Sequence, residues 1–171
     1  MNNIKPSVLA FVKRAYEKEA AIEILDCILP YDINAKFRIL DIPGIVIIES
    51  ILNGLEIIRI LKKCFVSQAK RIIPISDVVK SNPTEIINNV IKLSKEMENR
   101  GTKFKIELKS YDRSNTYRPI IDIIARKLIT ENGWIVKLKE PEVIIFIHIF
   151  NDEAFISVVK RGEVWELKEY L

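Results

Sequence analysis

The sequence predicts an α+β fold made in two parts. Three observations lead there. Hydrophobic residues make up 49% of the 171 positions, which is enough for a real core and argues against disorder. Isoleucine is abundant while glycine occurs only five times, which favours regular elements joined by short connections. The apolar spacing alternates between the two-residue period of strands and the 3.6-residue period of helices, and the pattern restarts near Asp77.

Val8–Val12 is a short apolar run and reads as a first strand. Ala20, Ala21, Ile24, Leu25 and Ile28 then fall at helical spacing over 16–29, and Pro30 ends the helix. Phe37 and Ile39 alternate with Lys36 and Arg38 as in a half-buried strand, and Asp41–Gly44 is a turn. Ile45–Ile48 is apolar throughout, as expected of a strand inside its sheet. A helix over 53–64 and a strand over 71–75 follow, with Pro74 marking an edge or a strand end. This strand–helix–strand–strand–helix–strand order is the split βαβ arrangement of a ferredoxin-like domain, assigned to residues 1–77.

Residues 78–171 form the second expected domain. Ser81 and Asn82 are cap candidates before Pro83, and Ile86, Ile87, Val90, Ile91 and Leu93 carry a helix towards Gly101. Phe104, Ile106 and Leu108 alternate with Lys105 and Glu107 in a strand with one polar face. A polar loop over 110–116 leads to a helix over 117–132, with Ile120, Ile121, Ile124 and Leu128 inside and Gly133 as its cap. Residues 134–138 read as a strand. Val143–Phe150 and Ala154–Lys160 read as a hairpin around Asn151 and Asp152. Trp165–Leu171 is expected to add a short strand or a packed tail.

Catalytic inventory is thin. His148 is the single histidine and lies between apolar neighbours, where a structural role is expected. The five glycines make no phosphate loop, and no Cys/His cluster suggests a metal, so neither cofactor nor metal is expected. Cys27 and Cys64 sit in apolar helical patterns and read as buried thiols. Met1–Pro6 is polar, so no signal peptide is expected. Val143–Phe150 is too short to span a bilayer. These readings favour a cytoplasmic protein with no membrane role and no catalysis of its own. The charged fraction of 29% together with the isoleucine content suggests a hot environment.

The net charge of +4 and pI near 9.0 fit an anionic partner. Basic residues concentrate in one stretch, and Lys103, Lys105, Lys109, Arg113, Arg118, Arg126 and Lys127 are the candidate RNA contacts. The three lysines share strand parity and are expected to face water, opposite Phe104 and Ile106. Tyr111 and Tyr117 lie in the same stretch and are candidates to stack on bases or to pack. A solvated face explains the same charges equally well.

Phe104–Lys160 resembles a THUMP domain, an RNA-binding module found with tRNA thiolases, methylases and pseudouridine synthases. The Lys137–Pro141 segment, the apolar strand after it and Ala154–Lys160 carry the likeness. Arg71–Ser76, Phe104–Ser110, Ser114, Arg118, Ser157–Lys160 and Leu167–Leu171 further resemble stand-alone THUMP adaptors for tRNA cytidine acetylation. The resemblance implies a ferredoxin-like domain followed by a THUMP domain with a mixed sheet and flanking helices. It also implies docking on the acceptor-stem end of tRNA and a separate tRNA acetyltransferase as partner. Alternatives are the RNA-binding subunit of a tRNA thiolase or methylase, or a protein-interaction module with no RNA role.

Overall fold

The structure is a computed structural model that describes residues 3–97, 100–111 and 117–167. It divides into two compact units. One runs to Ile75 and takes in the segment from Gly162, and the other is Ser76–Arg161.

The first unit is ordered β1 (Lys5–Val12), α1 (Glu17–Ile28), β2 (Lys36–Ile39), β3 (Ile45–Ser50), α2 (Gly54–Leu61) and β4 (Ala69–Pro74). The strands lie in the order β4-β1-β3-β2, each antiparallel to its neighbour. Both helices pack on one face. Val8, Ala10, Val12, Val46, Ile48 and Ile72 meet Ala20, Ile24, Ile28, Ile57 and Leu61 there. Asn53 caps α2 by accepting the Glu56 N–H at 2.9 Å. Gly54 follows because a Cβ at that position would lie 2.5 Å from the Ser7 carbonyl oxygen and 2.6 Å from Pro74 Cβ.

Two expectations for this unit change. The segment from Gly162 was assigned to the second domain, yet Trp165 and Glu166 pair with Ile72 and Arg71 on the outer side of β4. Trp165 is an apolar side chain that joins the first core and is 8% exposed there. Residues 168–171, part of the expected tail, lie outside the described residues. The cysteines are not thiols: Cys27 and Cys64 form a disulfide across a Cα–Cα distance of 6.2 Å. The helix α2 stops at Leu61, so Cys64 belongs to the exposed turn after it and not to a buried helical face.

The second unit contains β5 (Asp77–Lys80), α3 (Pro83–Lys95), β6 (Lys103–Ser110), α4 (Arg118–Asn132), β7 (Ile135–Val136), β8 (Val143–Phe150) and β9 (Glu153–Lys160). Its sheet runs β5-β9-β8-β6-β7 and is mixed: β6 is parallel to β7 and β8, and the other pairs are antiparallel. Asn82 caps α3 by accepting the Thr84 and Glu85 N–H groups. The left-handed Gly133, at φ 67°, ends α4. One face of the sheet carries Phe104, Val143, Ile145, Ile147, Ile149 and Ile156 against Ile86, Val90, Ile120, Ile124 and Leu128 of the two helices. The apolar runs of β3 and β8 are thus inner strands of different sheets. Strand β5 was not anticipated, because four residues of mixed polarity carry no clear period. No helix among the described residues is long and apolar enough to cross a membrane.

Candidate nucleic-acid interface

Strand parity places Lys103, Lys105 and Lys109 on the sheet face away from α3 and α4. The parallel register sets Lys105 beside Ile144, Glu107 beside Phe146 and Lys109 beside His148. That face is not simply solvated, as the sequence suggested. Every residue of β8 is buried, and Phe146, His148 and Phe150 form a stacked row along it. Tyr111 extends the row, its ring 4.6 Å from that of Phe150 and nearly parallel to it. The Lys109 ammonium lies 5.0 Å from the centre of the Tyr111 ring, a cation–π contact. Lys105 is half-buried and its ammonium is 2.9 Å from the Glu107 carboxylate, so its charge is largely spoken for. Exposed lysines remain at the two ends of the strand, Lys103 and Lys109. Six residues of strand put them roughly 20 Å apart.

The cations of α4 lie on another part of the unit. The helix covers the opposite face of the sheet through Ile120, Ile124 and Leu128. It runs antiparallel to β6: its end returns to the start of that strand, where the Gly101 N–H donates to the Gly133 carbonyl at 2.9 Å. Arg118, in the first turn, is therefore at the same end of the sheet as Lys109. Arg126 and Lys127 are two turns further along, and Lys127 lines a groove with Lys92, Lys95 and Glu131. The six sequence candidates among the described residues thus do not form one surface. Lys109 and Arg118 share one end, Lys103, Arg126 and Lys127 tend to the other, and Lys105 is between. Arg113, Ser114 and most of the expected 110–116 loop lie outside the described residues. Tyr117 is a packing residue: its hydroxyl donates to the Ser81 carbonyl at 2.9 Å and its ring joins the core.

The Lys109–Arg118 end has an electrostatic peculiarity. Helices α1, α2 and α3 each carry glutamate in the first turn, where the helix dipole favours negative charge. The first turn of α4 has no acidic residue and no side-chain cap, and it carries Arg118. The helix dipole and this arginine add up to a positive field at that end, although Pro119 brings no N–H and the Ile120 N–H is bonded to the Tyr117 carbonyl.

The fold also gathers cations that were not singled out. Arg100 lies over Gly133, and exposed Lys137, Lys139 and Arg161 surround the start of β6. They are separated by up to sixty residues in sequence, so no local charge count finds them. The one local signal was the alternation of Lys137 and Lys139 in a short stretch bounded by Gly133 and Pro141. Among the described residues, no group of three or more Cys, His, Asp or Glu side chains could hold a metal ion.

Residues 80–159 match the family model of the THUMP domain. No curated protein matches the sequence. Solved structures do. PH1313 from Pyrococcus horikoshii Ot3 aligns with a TM-score of 0.67 and 16% identity over 91% of this chain and 55% of its own. TrmN from Thermus thermophilus aligns at 0.65 and 18%, over 90% of this chain and 45% of its own. A 4-thiouridine synthetase in complex with RNA and ATP aligns at 0.59 and 15%, over 91% and 42%. The chain therefore spans about half the length of these proteins, and at such identities the likeness is one of fold. With four helices and two sheets among its described residues, this is an α+β chain that carries a THUMP domain at residues 80–159.

Proposed function

We propose that the chain is a tRNA-binding adaptor that positions tRNA for cytidine acetylation in the D-arm by a separate acetyltransferase. The THUMP match over residues 80–159 carries the RNA-binding part of this reading. A neighbour in fold, the 4-thiouridine synthetase, was solved with RNA, which supports it. The strand order β4-β1-β3-β2 of the first unit supports a ferredoxin-like domain ahead of the THUMP domain. The acetylation branch rests on the resemblance of Arg71–Ser76 and Ser157–Lys160, and the reading includes a cytoplasmic location and no resident cofactor.

The mechanism is positioning. Lys109 near the end of β6 and Arg118 in the first turn of α4 hold phosphates of the acceptor-stem end, with Tyr111 against Lys109. Arg113, outside the described residues, is a third candidate from the sequence. Contacts of this kind fix the register of an RNA without reading its sequence. The helical parts of tRNA expose shape and ribose hydroxyls more than base edges, so recognition is by shape.

The test is a titration of tRNA at several salt concentrations. Affinity is expected to fall steeply with salt. Lys109→Ala and Arg118→Ala should each weaken binding about fivefold and flatten the salt slope by roughly one contact. The exposed Lys18→Ala in α1 should change nothing. No tRNA binding by the parent chain would leave only a protein-interaction role. A second reading, the RNA-binding subunit of a tRNA methylase or thiolase, is favoured on the thiolase side by the neighbour in fold that is a 4-thiouridine synthetase. Addition of the chain to each purified enzyme class separates the two, since an adaptor stimulates only its own.

A further inference from the structure

We infer that the second unit has another RNA-contacting surface, at the opposite end of its sheet from Lys109 and Arg118. It comprises Arg100, Lys103, Lys127, Lys137, Lys139 and Arg161, and its ligand is the phosphate backbone of the same RNA. The inference rests on the tRNA-binding reading and extends it.

Backbone hydrogen bonds bring these segments together. The Gly101 N–H donates to the Gly133 carbonyl, and the Ile135 and Lys137 N–H groups donate to the carbonyls of Thr102 and Phe104, each within 2.9 Å. The Glu142 N–H donates to the Lys103 carbonyl at 2.8 Å, and the Arg161 N–H to the Glu142 carbonyl at 3.1 Å. The starts of β6 and β8, the end of β9 and the exit of α4 thus share one small region. All six cations are exposed. Among the described residues, the carboxylates in the same segments are Glu131, Glu140 and Glu142, while Glu163 in the turn of Arg161 is matched in formal charge by the adjacent Lys160. Six against three leaves a surplus of three, while the whole chain carries only +4. Most of the net positive charge of the protein therefore falls on this one end. A concentration of that kind raises the local potential towards a polyanion and is not needed for solubility.

The eight residues of β6 separate the two cationic ends by roughly 25 Å. One RNA arm covers such a span, so both ends can engage the same molecule. An acidic protein surface is the other occupant the charge admits, and Ile135, Val136 and Leu138, exposed at 52%, 47% and 75%, would then carry contacts. RNA is the better fit because the charges come from four chain segments ringed around the end of the sheet and the THUMP domain contains nearly all of them.

The experiment titrates bulk tRNA against the full chain and two double variants, Lys137→Ala with Lys139→Ala and Arg100→Ala with Lys103→Ala. Thermal melting confirms that each is folded, and Lys→Gln and Arg→Gln versions replace any that is not. Each pair should weaken binding about tenfold and flatten the salt slope by roughly two contacts. The inference is overturned if both pairs bind as the parent does, even where Lys109→Ala and Arg118→Ala lose affinity. In that case the tRNA-binding reading stands alone. It is also overturned if affinity drops while the salt slope is unchanged, since the loss would not then come from phosphate contacts. A parent chain that binds no tRNA removes the reading and the inference together.

Discussion

Asp32 is the residue that shows best how much one buried carboxylate can hold. It is 3% exposed and accepts three hydrogen bonds, from the Ser50 hydroxyl at 2.7 Å and from the N–H groups of Ile51 at 3.1 Å and Asn34 at 3.0 Å. The loop after α1 is thereby tied to the end of β3. Burial pushes its pKa up, but the Ser50, Ile51 and Asn34 hydrogen bonds outweigh burial and hold it below the ordinary 3.8. A depressed folded value contributes stability above the unfolded pKa, and that stability is lost as pH falls through the folded value. Asp32→Ala should cost about 3 kcal/mol at pH 7, because three donors lose their acceptor in a closed site. Urea unfolding at pH 7 and at about pH 3 should show the gap between parent and variant narrowing in acid; an unchanged gap would mean that the carboxylate charge contributes nothing. None of this was legible in the sequence. Asp32 reads there as one more loop acid, and two of its three partners are eighteen and nineteen residues away. The candidate site was half legible for a similar reason. Strand parity correctly grouped Lys103, Lys105 and Lys109, but parity says nothing of the neighbouring strand, whose Phe146, His148 and Phe150 share that face.

Elements were easier to read than their partners. The long apolar runs of β3 and β8, the Asn82–Pro83 start of α3 and the Gly133 end of α4 follow from local chemistry, and the sequence displays local chemistry directly. Short elements do not display it: β5 and the Trp165–Glu166 strand exist because an adjacent strand offers hydrogen bonds, not because four or two residues prefer to be extended. The cysteines belong with the second group. Helical spacing made both look like buried core residues, whereas the early end of α2 frees Cys64 to meet Cys27 across 37 positions. Closing a loop of that size removes unfolded-state entropy worth about 4 kcal/mol. Reduction, or the Cys27→Ser, Cys64→Ser pair, should therefore lower the melting temperature by roughly 10 °C. Scanning calorimetry with and without reductant measures the shift, and identical curves would show that the bond does not limit unfolding. If the proposed cytoplasmic location holds, such a bond is uncommon outside hyperthermophiles, which agrees with the isoleucine-rich, highly charged composition.

At the scale of the whole molecule, the adaptor reading makes a kinetic claim. An adaptor has no group that touches the reacting atoms, so everything it contributes must arrive as binding energy that holds tRNA near another protein's chemistry. Such energy stabilises the ground-state complex and the transition state alike, and uniform binding lowers KM without raising kcat. The isolated chain, given tRNA, acetyl-CoA and ATP, should form no acetylcytidine. Added to the purified acetyltransferase, it should lower the KM for tRNA about tenfold and leave kcat near its unassisted value. Lys109→Ala and Arg118→Ala should raise that KM in proportion to their loss of tRNA affinity, because the same phosphate contacts serve both measurements. Steady-state acetylation at graded tRNA concentrations reads both constants. A rise in kcat with KM unchanged would assign the chain a part in the chemical step. Product formed by the chain alone, in a preparation free of the enzyme, would falsify the adaptor reading outright, and the residues responsible would then have to be sought among the carboxylates and lysines that positioning leaves unused.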